Sequence, residues 1–418
     1  MRTYDVVIVG AGAAGLMAAG TAASQGFRTL LIEKMEKPAR KVRITGKGRC
    51  NLTNEKPLDE FLTKVRVNQP FAWDFLRFFS NIRTIDFFKK NGLPLETERG
   101  DRVYPASGKA GDVANALEKY ARKHGAEIEC HTSAIRILTE DKQIVSITIR
   151  NKKGRLETIN TENIIIATGG VSYPATGSTG DGYKLAHDLG HKIVEVRPSL
   201  VPLEIETASD EDLGGLFLKN VNLTLLIDDK PVAEEFGEID FFDKGVVGGA
   251  IVLRISREAV DAVIDEQSVV LSLDLKPALS QEQLTGRIDR ELAELDEKAT
   301  VRDLLRKLMP MKLTLPVAKR AGLKPTDLAH ALNDNNKTAI INVLKEYRMT
   351  VKDYRPFEEA IVTAGGVDVS QVDSATMQSE LIKGLYFAGE VLDVDANTGG
   401  YNLQLAFSSG RLAGMLKK

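Results

Sequence analysis

At 418 residues the chain is too long for one ordinary core, and at about 150 residues per domain it implies two or three domains. A net charge of −2 and a pI near 6.3 give no bulk attraction to nucleic acid or to an anionic membrane, so small-molecule partners are expected. Cys50 and Cys130 form no CxxC pair, which speaks against a disulfide framework or a dithiol relay and for a cytoplasmic setting, and no run of about 18 apolar residues suggests a spanning helix.

The chain begins with a short apolar, β-branched run from Tyr4 to Val9. Gly10-Ala11-Gly12-Ala13-Ala14-Gly15 follows at once, and Leu16 to Ser24 then reads as an Ala-rich helix. In a strand, turn and helix of this kind, Gly10 permits the turn, Gly12 lets the backbone approach a pyrophosphate, and Gly15 allows close helix packing. Ala13 and Ala14 open the helix, where free N–H groups suit phosphate. A second strand, Arg28 to Ile32, ends in Glu33 with Lys34 beside it. An acid about 20 residues after the glycines suits the diol of an unphosphorylated adenosine ribose.

Arg40-Lys41 and the loop Thr45-Gly46-Lys47-Gly48-Arg49-Cys50-Asn51 come next, through Asn54. Its glycines permit close backbone approach, and Arg and Asn supply donors to a phosphate or a polar ring edge. Cys50 beside the Arg49 cation is a possible thiolate, although no second cysteine is near. Helices are expected at 70–91 and 110–124; the aromatic stretch between Phe71 and Phe88 suits core packing, with a channel lining as the alternative. Paired strands are expected at 126–139 and 143–150, with Ala134 among the cofactor contacts. Asn163 to Ala167 reads as a buried strand that delivers Thr168-Gly169-Gly170 and Tyr173 to a site at its carboxyl end.

From about residue 192 the texture becomes antiparallel strands, at Val194–Val196, Val201–Glu206, Val221–Asp228 and Val269–Leu275, and 207–214 is the one candidate for disorder. Between 277 and 346 it becomes helical and Leu-spaced, as at Leu279–Leu295 and Val301–Leu308, with Pro310, Pro316 and Pro325 as punctuation. Ile361–Val367 and Leu385–Gly389 return to the buried-strand style, and a last helix spans about Leu403–Leu416. Gly389-Glu390 suits a ribityl hydroxyl. Asn397, Gly400, Tyr401, Asn402 and Leu403 open the last helix, whose N-terminus would stabilise negative charge on a reduced isoalloxazine. The five histidines show no ligand spacing, so no metal is expected.

Three segments, 40–54, 167–183 and 388–404, resemble the HI0933-like, or BaiN-like, family of bacterial NAD(P)/FAD-dependent flavoprotein oxidoreductases. The resemblance implies an α/β architecture: a Rossmann-like, two-dinucleotide-binding FAD domain, discontinuous, with an inserted β-barrel-like domain and a small helical lobe. With the texture changes it gives 1–191 and 355–418 for the FAD domain, 192–276 and 347–354 for the β-rich insert, and 277–346 for the lobe. It also implies tightly held, non-covalent FAD. Some members are credited with reducing double bonds conjugated to ketones. One departure stands out: where relatives carry a Thr-His pair this chain has Phe242-Asp243, so no role of that His transfers.

The expected activity is therefore an FAD-dependent reductase with NAD(P)H as transient donor, since no second GxGxxG marks a nicotinamide domain. Tyr173, Tyr401 and Arg49 are the candidate catalytic residues. An amine or hydroxyl oxidase is the alternative, and a flavin-dependent nucleic-acid-modification factor is a further one disfavoured by the balanced charge.

Overall fold

The computed structural model describes residues 2–206 and 213–416; most of the 207–214 stretch, residues 207–212, lies outside the described residues. The chain forms two compact units, Met1–Pro198 with Phe357–Lys418, and Ser199–Pro356.

Five short parallel strands organise the first unit, in the order Leu385–Phe387, Asn163–Ile166, Val6–Val9, Thr29–Ile32, Glu127–Glu129. The four-residue runs Val6–Val9 and Thr29–Ile32 are buried along their whole length, as expected for a parallel sheet covered on both faces. Register does the positioning. Val9 pairs with Ile32 and with Ile166, and Ile166 with Phe387, so Gly10, Glu33, Ala167 and Ala388 leave the sheet at the same level. Sequence segments more than 350 residues apart thus share one edge.

The first helix, Ala13–Ser24, contains no charged residue and is buried at every position but the last. Its small residues let other elements approach. A Cβ on Gly15 would lie 1.9 Å from the Gly10 carbonyl oxygen, and one on Gly20 would lie 2.3 Å from the Tyr120 ring of the Ala110–Lys123 helix. On its other side runs the last helix, Tyr401–Ala413, where a Cβ on Gly410 would lie 2.3 Å from the Ala14 carbonyl oxygen. A second sheet runs antiparallel through Ser133–Glu140, Gln143–Arg150 and Leu156–Asn160, and Arg2–Thr3 joins its edge parallel to Leu156–Asn160.

The helix expected at 70–91 is two, Gln69–Phe78 and Asn81–Lys90. Ser80 explains the break: its side chain accepts from Arg83 N–H and starts the second helix afresh. Phe71, Phe75 and Phe88 of this stretch are core residues.

In the second unit six strands close into a barrel, in the order Leu203–Ile205, Val246–Gly248, Lys230–Phe241, Phe217–Ile227, Val269–Asp274, Tyr347–Tyr354. Leu203 pairs with both Val247 and Tyr354, which closes the ring. Packed on it is the Ala250–Ile264 helix, which the β-rich reading of the segment did not include. Four helices form the lobe: Gln281–Glu294, Val301–Leu308, Met311–Arg320 and Asp334–Lys345. Capping boxes at Ser280/Gln283, Thr300/Asp303 and Asn333/Asn336 start three of them. Pro310 precedes a helix as expected, but Pro316 lies inside Met311–Arg320. There the burial of Leu313, Pro316 and Val317 outweighs the lost intrahelical hydrogen bond.

Candidate active site

At the carboxyl edge of the parallel sheet, Gly10 adopts φ +99°, which a side chain would disfavour, and a Cβ there would lie 2.6 Å from the Ala167 carbonyl oxygen. Gly12 is different: a Cβ would meet nothing within 4 Å. Open space therefore lies beyond the backbone that opens the first helix. Glu33 is fixed at this corner by two backbone donors, Ala11 N–H to Oε2 at 2.8 Å and Met35 N–H to Oε1 at 2.9 Å.

One pocket collects Gly10, Glu33, Lys34, Ala134, Thr168 and Asp181. It is also lined by Thr132 and Ser133, which sequence reading missed; their only signal is their place in the short link between the strands Glu127–Glu129 and Ser133–Glu140 and at its end. Lys34 Nζ reaches Asp181 Oδ2 at 2.6 Å and also Thr179. Arg40 Nη2 donates to the Ala175 carbonyl at 3.1 Å. Together they fasten the 172–181 loop to the corner after the second strand.

A second group of polar side chains gathers beside it. Lys41 Nζ lies 2.6 Å from Ser172 Oγ and 2.9 Å from Glu390 Oε2, while Ser172 Oγ donates to Glu390 Oε1 at 2.9 Å. Thr363 N–H also donates to Glu390 Oε1, at 2.9 Å. The two sequence motifs that carry Lys41 and Glu390 thus meet through their side chains. Gly169 faces the same group, and Gly389 packs close to Ala14.

The 45–51 loop turns back through Gly46, and Cys50 N–H donates to the Thr45 carbonyl at 2.9 Å. Thr45 Oγ1 donates to the Lys41 carbonyl at 2.8 Å. Cys50 is fully buried, and burial pushes its thiol up to about 12, which disfavours the thiolate considered from sequence. Asn51 Oδ1 is buried and accepts no hydrogen bond among the described residues. A buried acceptor without a donor is costly, and an incoming N–H group would relieve it. Near this loop, a Cβ on Gly400 would lie 2.5 Å from the Thr53 backbone, so the last helix begins directly against the strand after the loop. Asn402 is occupied in shaping that turn, accepting from Ala396 N–H at 2.9 Å and donating to the Ala396 carbonyl at 2.7 Å. Asn397 Oδ1 accepts from Arg66 at 3.4 Å, and Leu403 is half-buried on the same helix.

The three residues put forward for catalysis are in different situations. Tyr173 is partly exposed, with a left-handed backbone (φ 51°) and its N–H bonded to the Phe357 carbonyl at 3.0 Å. Tyr401 is buried, its ring edge-on to Phe61 with centroids 4.7 Å apart, and burial raises its phenol pKa. Arg49 is paired with Glu98 and lies over the Tyr104 ring at 4.5 Å. No group of three or more His, Cys, Asp or Glu suited to a metal occurs among the described residues.

Strand ends level at one edge, an open helix start, a fixed acid after the second strand and an acceptor awaiting a donor fit a flavin dinucleotide and define a flavoprotein of the Rossmann type. The chain belongs to the family described as HI0933-like protein Rossmann domain, which it matches over residues 4–416, and it is an FAD-dependent oxidoreductase. It is 30% identical to a 3-dehydro-bile acid delta(4,6)-reductase of Clostridium scindens, over 97% of each chain. To a ribosomal RNA dihydrouridine synthase of Escherichia coli it is 28% identical, over 98% of this chain and 96% of the relative. In fold it resembles a 3-ketosteroid delta1-dehydrogenase of Sterolibacterium denitrificans, with a TM-score of 0.55 at 15% identity and 99% of both chains covered. No helix among the described residues is long and apolar enough to cross a membrane.

Proposed function

We propose that this flavoprotein is an NAD(P)H-driven reductase of a carbon–carbon double bond conjugated to a carbonyl. The observation that carries the reading is the full-length similarity to two relatives whose names share that chemistry: a 4,6-dienone of a bile acid and the C5=C6 bond of uracil are both conjugated to a carbonyl. When bound, FAD supplies two-electron transfer between donor and acceptor, chemistry that no side chain here provides.

The chain's own residues bind and orient. Glu33 offers its remaining acceptor capacity to the adenosine ribose, and the N–H groups at the start of Ala13–Ser24 hold the pyrophosphate. Lys41, Ser172 and Glu390 form a preassembled set toward the ribityl chain. Asn51 Oδ1 suits the imide N–H of the isoalloxazine. The start of Tyr401–Ala413 faces negative charge with a positive dipole end, and electrostatic preorganisation of this kind is the protein's main contribution.

Reduction of a conjugated double bond also needs a proton at the carbon next to the carbonyl. Tyr173 is favoured for it over Tyr401 and Arg49, because the latter two are committed to packing and to an ion pair, whereas Tyr173 is partly exposed at the carboxyl end of a central strand. The donor and the acceptor are tested together by anaerobic stopped-flow absorbance of the FAD-loaded protein. Rapid bleaching of the flavin band by NADH or NADPH, followed by recolouring on addition of a conjugated enone, is the expected result. A flavin that stays oxidised with both donors, yet bleaches with an amine or alcohol, would replace this reading with that of an oxidase.

A further inference from the structure

Charge along the chain is uneven in a way the total of −2 conceals. Between Glu297 and Asp327 lie eight Lys and Arg residues and one acid, Asp303, a net of +7, which leaves −9 for the remainder. These residues form the Val301–Leu308 and Met311–Arg320 helices of the lobe and the turns around them.

A second basic stretch, residues 37–49, shows what sets the lobe apart. It holds six cations and no acid, but four of them are neutralised: Arg40 by Glu36, Lys41 by Glu390, Arg43 by Glu118 and Arg49 by Glu98. In the lobe Lys312, Lys319 and Arg320 are engaged. Lys298, Arg302, Arg306, Lys307 and Lys324 are exposed and make no side-chain hydrogen bond or ion pair among the described residues.

These five charges are also close together. Lys298, Arg306 and Lys307 line one hollow with Asp296 and Asp303. Both acids keep their charge while accepting backbone N–H groups, Asp303 from Thr300 at 2.9 Å and Asp296 from Lys298 at 2.8 Å, and Asp303 offsets part of the charge of Arg302 and Arg306. Arg302 lies one turn before Arg306, and its N–H bonds to the Pro325 carbonyl at 3.0 Å, which brings Lys324 alongside; Asp327 bounds the patch there. Five exposed cations outnumber the acids among them, and regularly spaced phosphates would neutralise the excess.

We infer that this face of the lobe is a docking surface for the phosphate backbone of a folded RNA. An anionic membrane is a poorer match, because the apolar side chains of the helix, Val301, Leu304, Leu305 and Leu308, are all buried and leave no stripe to insert. Unpaired bases are also a poorer match: no Phe, Trp or Tyr occurs between residues 277 and 346, so the lobe has no aromatic platform for stacking. What remains is recognition of helical RNA through its phosphates. The surface is independent of the reaction proposed above.

The test is fluorescence anisotropy of the FAD-loaded protein with a labelled RNA hairpin over a range of salt concentrations. The triple variant Arg302→Ala/Arg306→Ala/Lys307→Ala is compared with Lys152→Ala/Lys153→Ala/Arg155→Ala, which removes three exposed cations from the turn after Gln143–Arg150. Flavin content and melting temperature establish that both fold. The lobe variant should bind at least about tenfold more weakly, with a salt slope shallower by about 2 to 3, while the control binds as the unaltered protein does. Absence of hairpin binding at low salt, equal losses in both variants, or preference for anionic vesicles or an unstructured strand would each overturn the assignment. Bleaching by NAD(P)H is read in parallel: its failure in a protein that still binds RNA would count against the reductase and leave the surface standing.

Discussion

At the scale of single residues, the proton donor is the sharpest question. Tyr173 follows a strand whose other products, Thr168 and Gly169, lie beside Gly10 and Glu390 respectively, and its left-handed backbone is held by the bond to Phe357. Tyr173→Phe keeps the ring and removes only the hydroxyl. The expected outcome is a loss of about 10²- to 10⁴-fold in turnover of a conjugated acceptor, with the rate of flavin bleaching by the nicotinamide unchanged. Single-turnover kinetics of the two half-reactions separate these effects. An equal loss in both would make Tyr173 a structural residue. Arg49 illustrates what a sequence cannot convey at this scale: its partners Glu98 and Tyr104 are about fifty residues away, on a hairpin whose contact with the loop no local pattern announces.

Between elements, His191 ties the end of the Asp181–Asp188 helix to the segment before the Leu385–Phe387 strand. Its Nδ1 faces the Ala186 carbonyl at 3.3 Å, so Nδ1 carries the proton, and Nε2 accepts from Ser379 Oγ at 2.7 Å. Ser379 Oγ in turn accepts from Leu381 and Ile382 N–H, each at 3.0 Å. Burial holds the His191 pKa below the usual imidazole value. The neutral ring is favoured in the folded state, while the unfolded chain takes up its proton near about 6.5. This contribution to stability is therefore complete above that pH and is lost as the pH falls toward and through the lower folded value. Urea unfolding midpoints between about pH 8 and pH 5 should decline toward acid, and less steeply in His191→Gln.

Elements also show how far the sequence could be read. Four of the five strands of the parallel sheet are legible because each is a short, largely apolar run followed by Gly, Glu or Ala, the exception being the edge strand Glu127–Glu129, and the aligned ends follow from parallel register. The single helix expected at 70–91 hides a break because apolar periodicity continues across Ser80, and only its cap bond reveals the restart. The Ala250–Ile264 helix went unread for a similar reason: its apolar residues begin directly after the Val246–Gly248 strand, and tertiary packing on the barrel decides their conformation. The lobe's charge was visible in composition but averaged away by counting the chain as a whole.

For the molecule as a whole, the first unit depends on its two ends meeting. The Tyr401–Ala413 helix lies against Ala13–Ser24 through Gly410 over Ala14 and Gly414 over Ala18, and Gln25 Nε2 donates to the Gly414 carbonyl at 2.8 Å. Gly410→Leu would drive these helices apart, and overpacking of this kind costs about 1–3 kcal/mol or more. The expected result is a lower melting temperature together with a fall in the flavin recovered per polypeptide, measured as the ratio of the flavin band to protein absorbance. A fall in melting temperature with full flavin content would separate helix contact from cofactor retention.

The same contact orders events during synthesis. Gly10 and Glu33 leave the ribosome early, whereas Glu390 and the helix beginning at Tyr401 emerge only after the whole of Ser199–Pro356. The barrel and lobe are continuous in sequence and so can fold as a unit, whereas the contact of the first helix with Tyr401–Ala413 cannot form until that helix has been made. A chain cut short before Tyr401 is therefore expected to be colourless when purified, which absorbance at the flavin band would check.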